Sequence, residues 1–599
     1  MRSSMLFACA SALVAALAAG AARAQTYDRV VAFGDSLTDS GNLFRATGGT
    51  QPPSPPYFQG RFSNGPTYLE LLGFQPLQLF GAINGSVNNA FGGARTDLQS
   101  NPPSLQVQLN AYLAAGGKFG PNDLAVVYGG ANNILQAVPA AAVNPNPTGF
   151  LGGVSTAAAN DILGMVTRIA GAGAGTIAVP NLPGFGDLPP FRNGPASGLA
   201  EFFGSGAFNA RLAAGLPGIA TANPNSNIIL VDVERAVGQI RAQPAAFGFT
   251  NVTTPCLNSQ TGAVCSTPDT FFYWDDIHPT AQLHRTFAAV VTDYIYYGAR
   301  GAATAAQAEA AIEHRESAMD SALEQVRSVD GPGARLHIDL EIGEGEEDAR
   351  GDIPSIERST TSMRFGFAGQ VSPSTAAGVS FSASRSDVQA GASSFEANSL
   401  GADGYMSWRT GAMAVDAVFG GSLDEYDDIR RATGFGTLLH SADRNEGSTV
   451  GAKLQARWRT EAAGASLTPR VAISALRAEV DPYNEQGFAA RHAVRAREVS
   501  AVGAEAAVRL DTMLAGLDTY LEGGYGDYLS YDGDVETALV DNPAQPIAVS
   551  VDAPGRGFML NVGADGEVFG GWSLGAAYRG RFDAGSDSHA ALLTLKLRR

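Results

Sequence analysis

The sequence predicts two folds in series: a three-layer α/β domain over residues 25–300 and a membrane-spanning β-barrel over residues 336–599, joined by a helical linker across residues 301–335. Three observations predict this order. The first half carries short apolar runs without polar alternation, separated by Ala-rich stretches, as strands covered on both faces of a parallel sheet require. The second half alternates apolar and polar residues with period two. Between them the composition shifts to Ala, Glu, Gln and Arg and stops at Gly331-Pro332-Gly333.

Residues 1–24 read as a secretory signal peptide, with Arg2 ahead of an apolar stretch at 5–19 and Ala22-Arg23-Ala24 as the cleavage site. Export places the chain where disulfides form, and Cys256 and Cys265, nine positions apart in a turn-rich stretch, are the candidate pair. Two cysteines do not make a structural zinc site, and no metal or other cofactor is expected.

The α/β runs fall at residues 30–33, 124–128, 176–179 and 228–231. The linker helix has small residues nearly all round and a thin apolar stripe at Ile312, Met319, Leu323 and Val326. That pattern fits a solvated interdomain helix and a helix threaded through a polar pore equally well. Alternation then runs through residues 379–384, 453–459, 466–475, 558–565, 572–579 and 591–597. At roughly 22 residues per strand plus turn, the segment holds about 12 strands.

Charge divides along the same boundary. The 599-residue chain has a formal charge of -18, yet residues 25–300 carry 15 acidic and 12 basic side chains, against 43 and 26 in residues 301–599. The acidity therefore belongs to the helix and barrel, on lumen-facing positions and loops. A formal charge of this sign, with only three lysines, argues against a nucleic-acid partner.

The chemistry-bearing residues lie in the first half. Ser36, in Gly34-Asp35-Ser36-Leu37, follows the first apolar run directly, at the strand end where α/β sheets place ligands. A serine nucleophile needs a base, and residues 25–300 contain only His278 and His284. His278 has Asp275 three positions before it, with Asp276 as a rival orienter disfavoured by spacing, whereas His284 falls in an Ala/Leu helix as a packing or surface residue. Donors for an oxyanion come from two turns, residues 88–94 and 128–133. The segments 52–62, 135–143 and 185–208, with Phe58, Phe185, Phe191 and Phe202, are candidates to line an acyl pocket.

Taken together, Gly34-Asp35-Ser36-Leu37, Gly92, Gly130-Ala131-Asn132 and Asp275-Ile277-His278 stand in the order of the four blocks of the GDSL (SGNH) esterase/lipase family, over residues 28–295. The resemblance implies a flavodoxin-like SGNH hydrolase domain with a Ser36-His278-Asp275 triad and an oxyanion hole from Ser36, Gly92 and Asn132. Asn133 departs from the family's usual Asp. The whole order of leader, hydrolase, helix and barrel resembles the GDSL-type autotransporter esterases. It implies a monomeric enzyme on ester or lipid substrates, exposed at the cell surface, with the helix in the pore of an outer-membrane barrel inserted by the barrel-assembly machinery. The ending Leu597-Arg598-Arg599 departs from the aromatic terminus usual for such barrels. The competing readings are a surface adhesin without hydrolytic activity and an esterase released by cleavage near the linker.

Overall fold

The computed structural model describes residues 26–598 apart from 330, 332, 435–437 and 463. The expected signal peptide lies outside the described residues.

Six parallel strands form the first sheet: β1 (Arg29–Gly34), β2 (Leu77–Leu79), β3 (Ser86–Asn88), β4 (Asp123–Tyr128), β5 (Thr176–Pro180) and β6 (Asn227–Val231), in the order β2-β3-β1-β4-β5-β6. The four runs read from the sequence are β1, β4, β5 and the edge strand β6, and Val30, Val31, Leu124, Ala125 and Val126 are completely buried, as strands with helices on both faces must be. β2 and β3 were not anticipated; with three residues each they carry no readable period. The covering helices include α1 (Leu105–Ala114), α2 (Ala131–Ala142), α3 (Pro147–Gly171), α4 (Gly206–Ala222), α5 (Val233–Ala242) and α6 (Ala281–Ile295). Ser104 and Thr280 cap α1 and α6 by accepting from Val107 N and Leu283 N, which takes up backbone donors that a helix start leaves open.

Two further short strands, β7 (Asn251–Pro255) and β8 (Phe271–Tyr273), precede α6. Helix α7 (Ala305–Arg327) then leads into the barrel, whose first strand, β9 (Ala334–Glu347), begins two residues before the expected boundary because Ala334 pairs with Gly369. The remaining wall is β10 (Ile356–Ser372), β11 (Thr375–Ala390), β12 (Ser393–Thr410), β13 (Met413–Ala432), β14 (Asn445–Trp458), β15 (Ala465–Val480), β16 (Arg497–Leu514), β17 (Leu517–Asp532), β18 (Phe558–Phe569), β19 (Trp572–Asp583) and β20 (Ser586–Arg598). Each strand pairs antiparallel with the next, and β20 pairs back onto β9, closing twelve strands into a barrel without edges.

Alternation sets which face meets lipid. On β11, Val379 and Phe381 are 49% and 56% exposed while Ser380 is buried, and on β14 Leu454 and Trp458 face out while Lys453 and Gln455 face in. No helix among the described residues is long and apolar enough to cross a membrane; the strands cross it.

α7 threads the lumen, which selects the pore-threaded form of the linker. Its acidic residues meet a column of wall cations: Glu309 with Arg350, Glu313 with Arg358, Glu316 with Arg556 at 3.1 Å, Asp320 with Lys453 at 2.6 Å and Glu324 with Arg509 at 3.0 Å. On another face Arg315 pairs with Asp403, and His314 sits between Ser399 and Ser386 at 2.9 and 2.7 Å.

At the barrel rim, the strand pairs His492–Val494 with Val535–Leu539 and Val535–Leu539 with Asn542–Val549 reach the α/β domain. Gln545 accepts from Ile228 N and donates to Ser226 O, each at 3.0 Å, and Asn542 donates to Ile228 O at 3.0 Å. These amides satisfy the outer edge of β6, which would otherwise present open backbone groups.

Candidate active site

Ser36 sits just past the C-terminal end of β1. Gly34 is obligatory there because a Cβ would lie 2.8 Å from Tyr128 O and 2.9 Å from Thr38 Oγ1. The turn is held from beneath by Gln108, which accepts from Gly34 N at 3.0 Å and donates to Gly34 O at 2.9 Å. Asp35 points inward and accepts from Leu37 N at 3.1 Å; burial pushes its carboxyl up to about 6, only partly offset by the Leu37 N–H and by His278.

His278 lies on the turn between β8 and α6. Asp275 Oδ1 accepts from Ile277 N and His278 N at 3.0 and 2.8 Å, so one carboxylate shapes the turn that carries the histidine. Its other oxygen lies 2.7 Å from His278 Nδ1, and His278 Nε2 lies 2.9 Å from Ser36 Oγ. Tyr57 adds a hydroxyl at 2.6 Å from Asp275 Oδ2. Burial opposes ionisation of Asp275, but His278, Tyr57 and the Ile277 amide outweigh it and hold the carboxyl well below the usual range. Asp276 points away and accepts from Ser259 at 2.8 Å. His284 is buried in α6; its Nδ1 accepts from Tyr68 N at 3.1 Å, and burial first, then His278, lowers it to about 3.

Cys256 and Cys265 form a disulfide. Cys256 N and Leu257 N donate to Tyr273 O and Trp274 O at 3.0 and 2.6 Å, so the crosslinked loop braces the start of the Asp275–His278 turn.

On the other side of Ser36 the geometry departs from the expected donor set. The Gly92 N–H is already given to Asp39 Oδ2 at 2.8 Å. Asp39 is buried and also accepts from Gly41, Asn42 and Leu43, tying the turn after β1 to the turn after β3. This occupation corrects the expectation for Gly92. The next residue, Gly93, has φ +74° and its N–H has no acceptor among the described residues. Asn132, at the start of α2, uses one amide hydrogen on Ala94 O at 3.0 Å and keeps the other. Asn133 accepts from Thr96 N at 2.9 Å, a task its amide oxygen performs as a carboxylate would.

The four phenylalanines that were candidates to line a pocket differ in environment. Phe185 is core, Phe191 packs against it, Phe202 is 71% exposed and Phe58 lies partly buried beneath Arg61. Tyr57, Asp39 and Gln108 were missed by sequence reasoning; Tyr57 falls within the 52–62 segment flagged only for apolar character, and nothing in its spacing marks it.

With this geometry in hand, the sequence matches the GDSL-like Lipase/Acylhydrolase family over residues 30–291 and the Autotransporter beta-domain over residues 339–579. Esterase EstA of Pseudomonas aeruginosa aligns across both at 26% identity over 570 residues, covering 80% of this chain and 81% of that protein. The chain carries a GDSL-like lipase/acylhydrolase domain followed by an autotransporter beta-domain. It is thus an ester-hydrolysing serine hydrolase with an outer-membrane barrel. A Phosphatidylcholine-sterol acyltransferase of Aeromonas hydrophila is 29% identical over 261 residues, covering 42% of this chain and 71% of that one. Among solved structures, the translocator domain of autotransporter NalP from Neisseria meningitidis covers 50% of this chain and all of its own, with TM-score 0.42 and 14% identity.

Proposed function

We propose that this autotransporter esterase is a carboxylic ester hydrolase carried on the cell surface by its own barrel, with Ser36 as nucleophile, His278 as base and Asp275 as orienter. The observation that carries the assignment is the continuous hydrogen-bonded chain from Ser36 Oγ through His278 to Asp275, at 2.9 and 2.7 Å.

In the first step Ser36 Oγ attacks the ester carbonyl while His278 Nε2 takes its proton, and Asp275 stabilises the imidazolium without itself being protonated. The oxyanion accepts from Ser36 N–H, the free hydrogen of Asn132 Nδ2 and the N–H of Gly93, which replaces the engaged Gly92. His278 then protonates the leaving alcohol, and a water, deprotonated by His278, releases the acid from the acyl-enzyme. A helix threaded through the lumen and rim loops seated on the α/β domain support surface display. The assembly machinery is the partner the barrel requires, and the enzyme acts as a monomer.

The test is hydrolysis of p-nitrophenyl butyrate by intact cells expressing the full chain. Ser36→Ala should lower the rate by at least about a thousandfold while the barrel keeps its heat-modifiable gel mobility. Equal rates from wild type and variant refute the hydrolase site and leave a binding passenger.

A further inference from the structure

Residues 57–68 run beside residues 275–284 and touch them in register. Tyr57 donates to Asp275 Oδ2 at 2.6 Å, Ser63 Oγ donates to Pro279 O at 2.8 Å, Asn64 Oδ1 accepts from Ala281 N at 2.7 Å, and Tyr68 N donates to His284 Nδ1 at 3.1 Å. The segment is itself tied down: Phe58 N donates to Ser63 O at 2.9 Å, and Arg61 forks onto Glu70 at 3.3 and 2.5 Å. Between these anchors the Phe62 ring lies against the His278 imidazole, with centroids 5.0 Å apart and planes 37° apart. The Cζ end of that ring occupies the space where Gly92 has no side chain: a Cβ at Gly92 would lie 2.2 Å from Phe62 Cε2 and 2.5 Å from Cζ. Gly92 gives its N–H to Asp39, so what the site draws from this glycine is room for Phe62.

We infer that Phe62, seated on Gly92, is a positioning residue for the base: it holds the His278 ring where Nε2 can hand its proton to the leaving alcohol. The inference rests on the hydrolase assignment above and adds what keeps the base in place during turnover. In the resting site His278 is held at two edges, by Asp275 at 2.7 Å and by Ser36 Oγ at 2.9 Å. The Ser36 contact is given up when Oγ bonds to the substrate carbonyl carbon, and the ring then keeps one hydrogen bond, at Nδ1. One such bond restrains rotation about Cβ–Cγ less than two do, and the χ2 well of a histidine is broad. A flat side chain packed on the imidazole blocks that rotation on one side, and the Ser63 and Asn64 bonds fix the backbone that carries it. Phe62 is therefore needed most at the step in which His278 acts as acid, when the serine no longer orients it.

The experiment measures kcat/KM of the full chain in outer-membrane vesicles on two esters of one acid, p-nitrophenyl butyrate and ethyl butyrate. p-Nitrophenolate leaves without a proton, whereas ethoxide needs one from His278, so the ratio of the two rates reports His278 as an acid. Phe62→Leu keeps an apolar side chain in the seat but removes the flat ring. It should lower kcat/KM by about tenfold on the nitrophenyl ester and about a hundredfold on the ethyl ester, the size expected for a displaced catalytic group. Gly92→Ala keeps the N–H for Asp39 and pushes the ring from its seat, so it should change the ratio in the same direction. The double variant should be no worse than the poorer single, because both changes act through one ring. A misfolded fraction lowers both rates equally and leaves the ratio as it was. An unchanged ratio in both single variants overturns the inference, and so does a double variant whose losses multiply. Absence of Ser36-dependent hydrolysis of either ester by wild type would overturn the hydrolase assignment, and the inference falls with it.

Discussion

The two halves bury charge in opposite senses. In the α/β domain the sheet interior is apolar, and Asp35, Asp39, Asp275 and His278 are buried together where the turns after β1, β3 and β8 converge. In the barrel the apolar side chains face outward, Leu400 at 68% and Phe419 at 67% exposed, and the interior holds the ions. There Glu505 alone is approached by Lys453, Arg470, Arg556 and Arg581, between 2.9 and 3.2 Å. A solvent of lipid reverses which face of a strand is the inside, so buried charge marks chemistry or capping in one half and the seating of a helix in the other.

The sharpest way to break this comparison is to remove one member of a lumen pair. Arg315 and Asp403 are each 1% exposed, and Arg315 also donates to Gly421 O. Arg315→Ala leaves Asp403 unpaired and should destabilise the folded chain by about 3–5 kcal/mol, read as a lower temperature for the heat-modified gel shift. Arg315→Met with Asp403→Leu removes both charges and should recover most of that loss. If the double variant is as unstable as the single, the pair contributes more than mutual neutralisation.

The equivalent removal in the α/β domain acts on turnover and not on stability. Asn132→Ala deletes one oxyanion donor and should raise the barrier by about 2.7–4 kcal/mol, or roughly 10²–10³ in kcat, with the melting temperature nearly unchanged. A matching drop in melting temperature would show that its bond to Ala94 O is structural and would blur the contrast between the halves.

How much of this was readable depends on whether a signal is local. The strands β1, β4, β5 and β6 were legible because each is a continuous apolar run, and the lipid face was legible because period two survives across β11, β14 and β15. Ser36 stood out at the end of the first strand and His278 because the α/β half offers so few histidines, and the fold brings the two into hydrogen-bond range. What stayed hidden depends on distant segments meeting. Gly92 and Gly93 are indistinguishable in sequence; the difference arises because Asp39, 53 residues earlier, places an acceptor on one amide and not the other. The four phenylalanines were singled out for their apolarity, which does not tell the core position of Phe185 from the exposed one of Phe202. Tyr57 reaches Asp275 across 218 positions, which no spacing rule detects.

Tyr57 supplies the smallest effect and the finest test of how the α/β half uses a buried charge. Its hydroxyl is one of the donors that keep Asp275 ionised, beside His278 and the Ile277 amide. Tyr57→Phe keeps the ring against Trp274 and Phe62 but removes that bond, so it should cost about 1.5–3 kcal/mol where Asp275 is charged, as expected for a hydrogen bond to an ion. The pH dependence follows from the direction of the shift. A carboxyl held below its unfolded value of about 3.9 contributes stability that is complete above that value and declines as pH falls through the folded one. The variant raises the folded value toward the ordinary range, so its deficit should be constant from neutral pH to about 5 and shrink below about 4, where Asp275 of the variant takes up a proton before that of the wild type. Urea unfolding followed by Trp274 fluorescence across that range measures it. A deficit that stays the same down to pH 2 would mean that the Tyr57 hydroxyl stabilises the turn whatever the charge on Asp275, and that this charge owes its stability to His278 and the backbone amides.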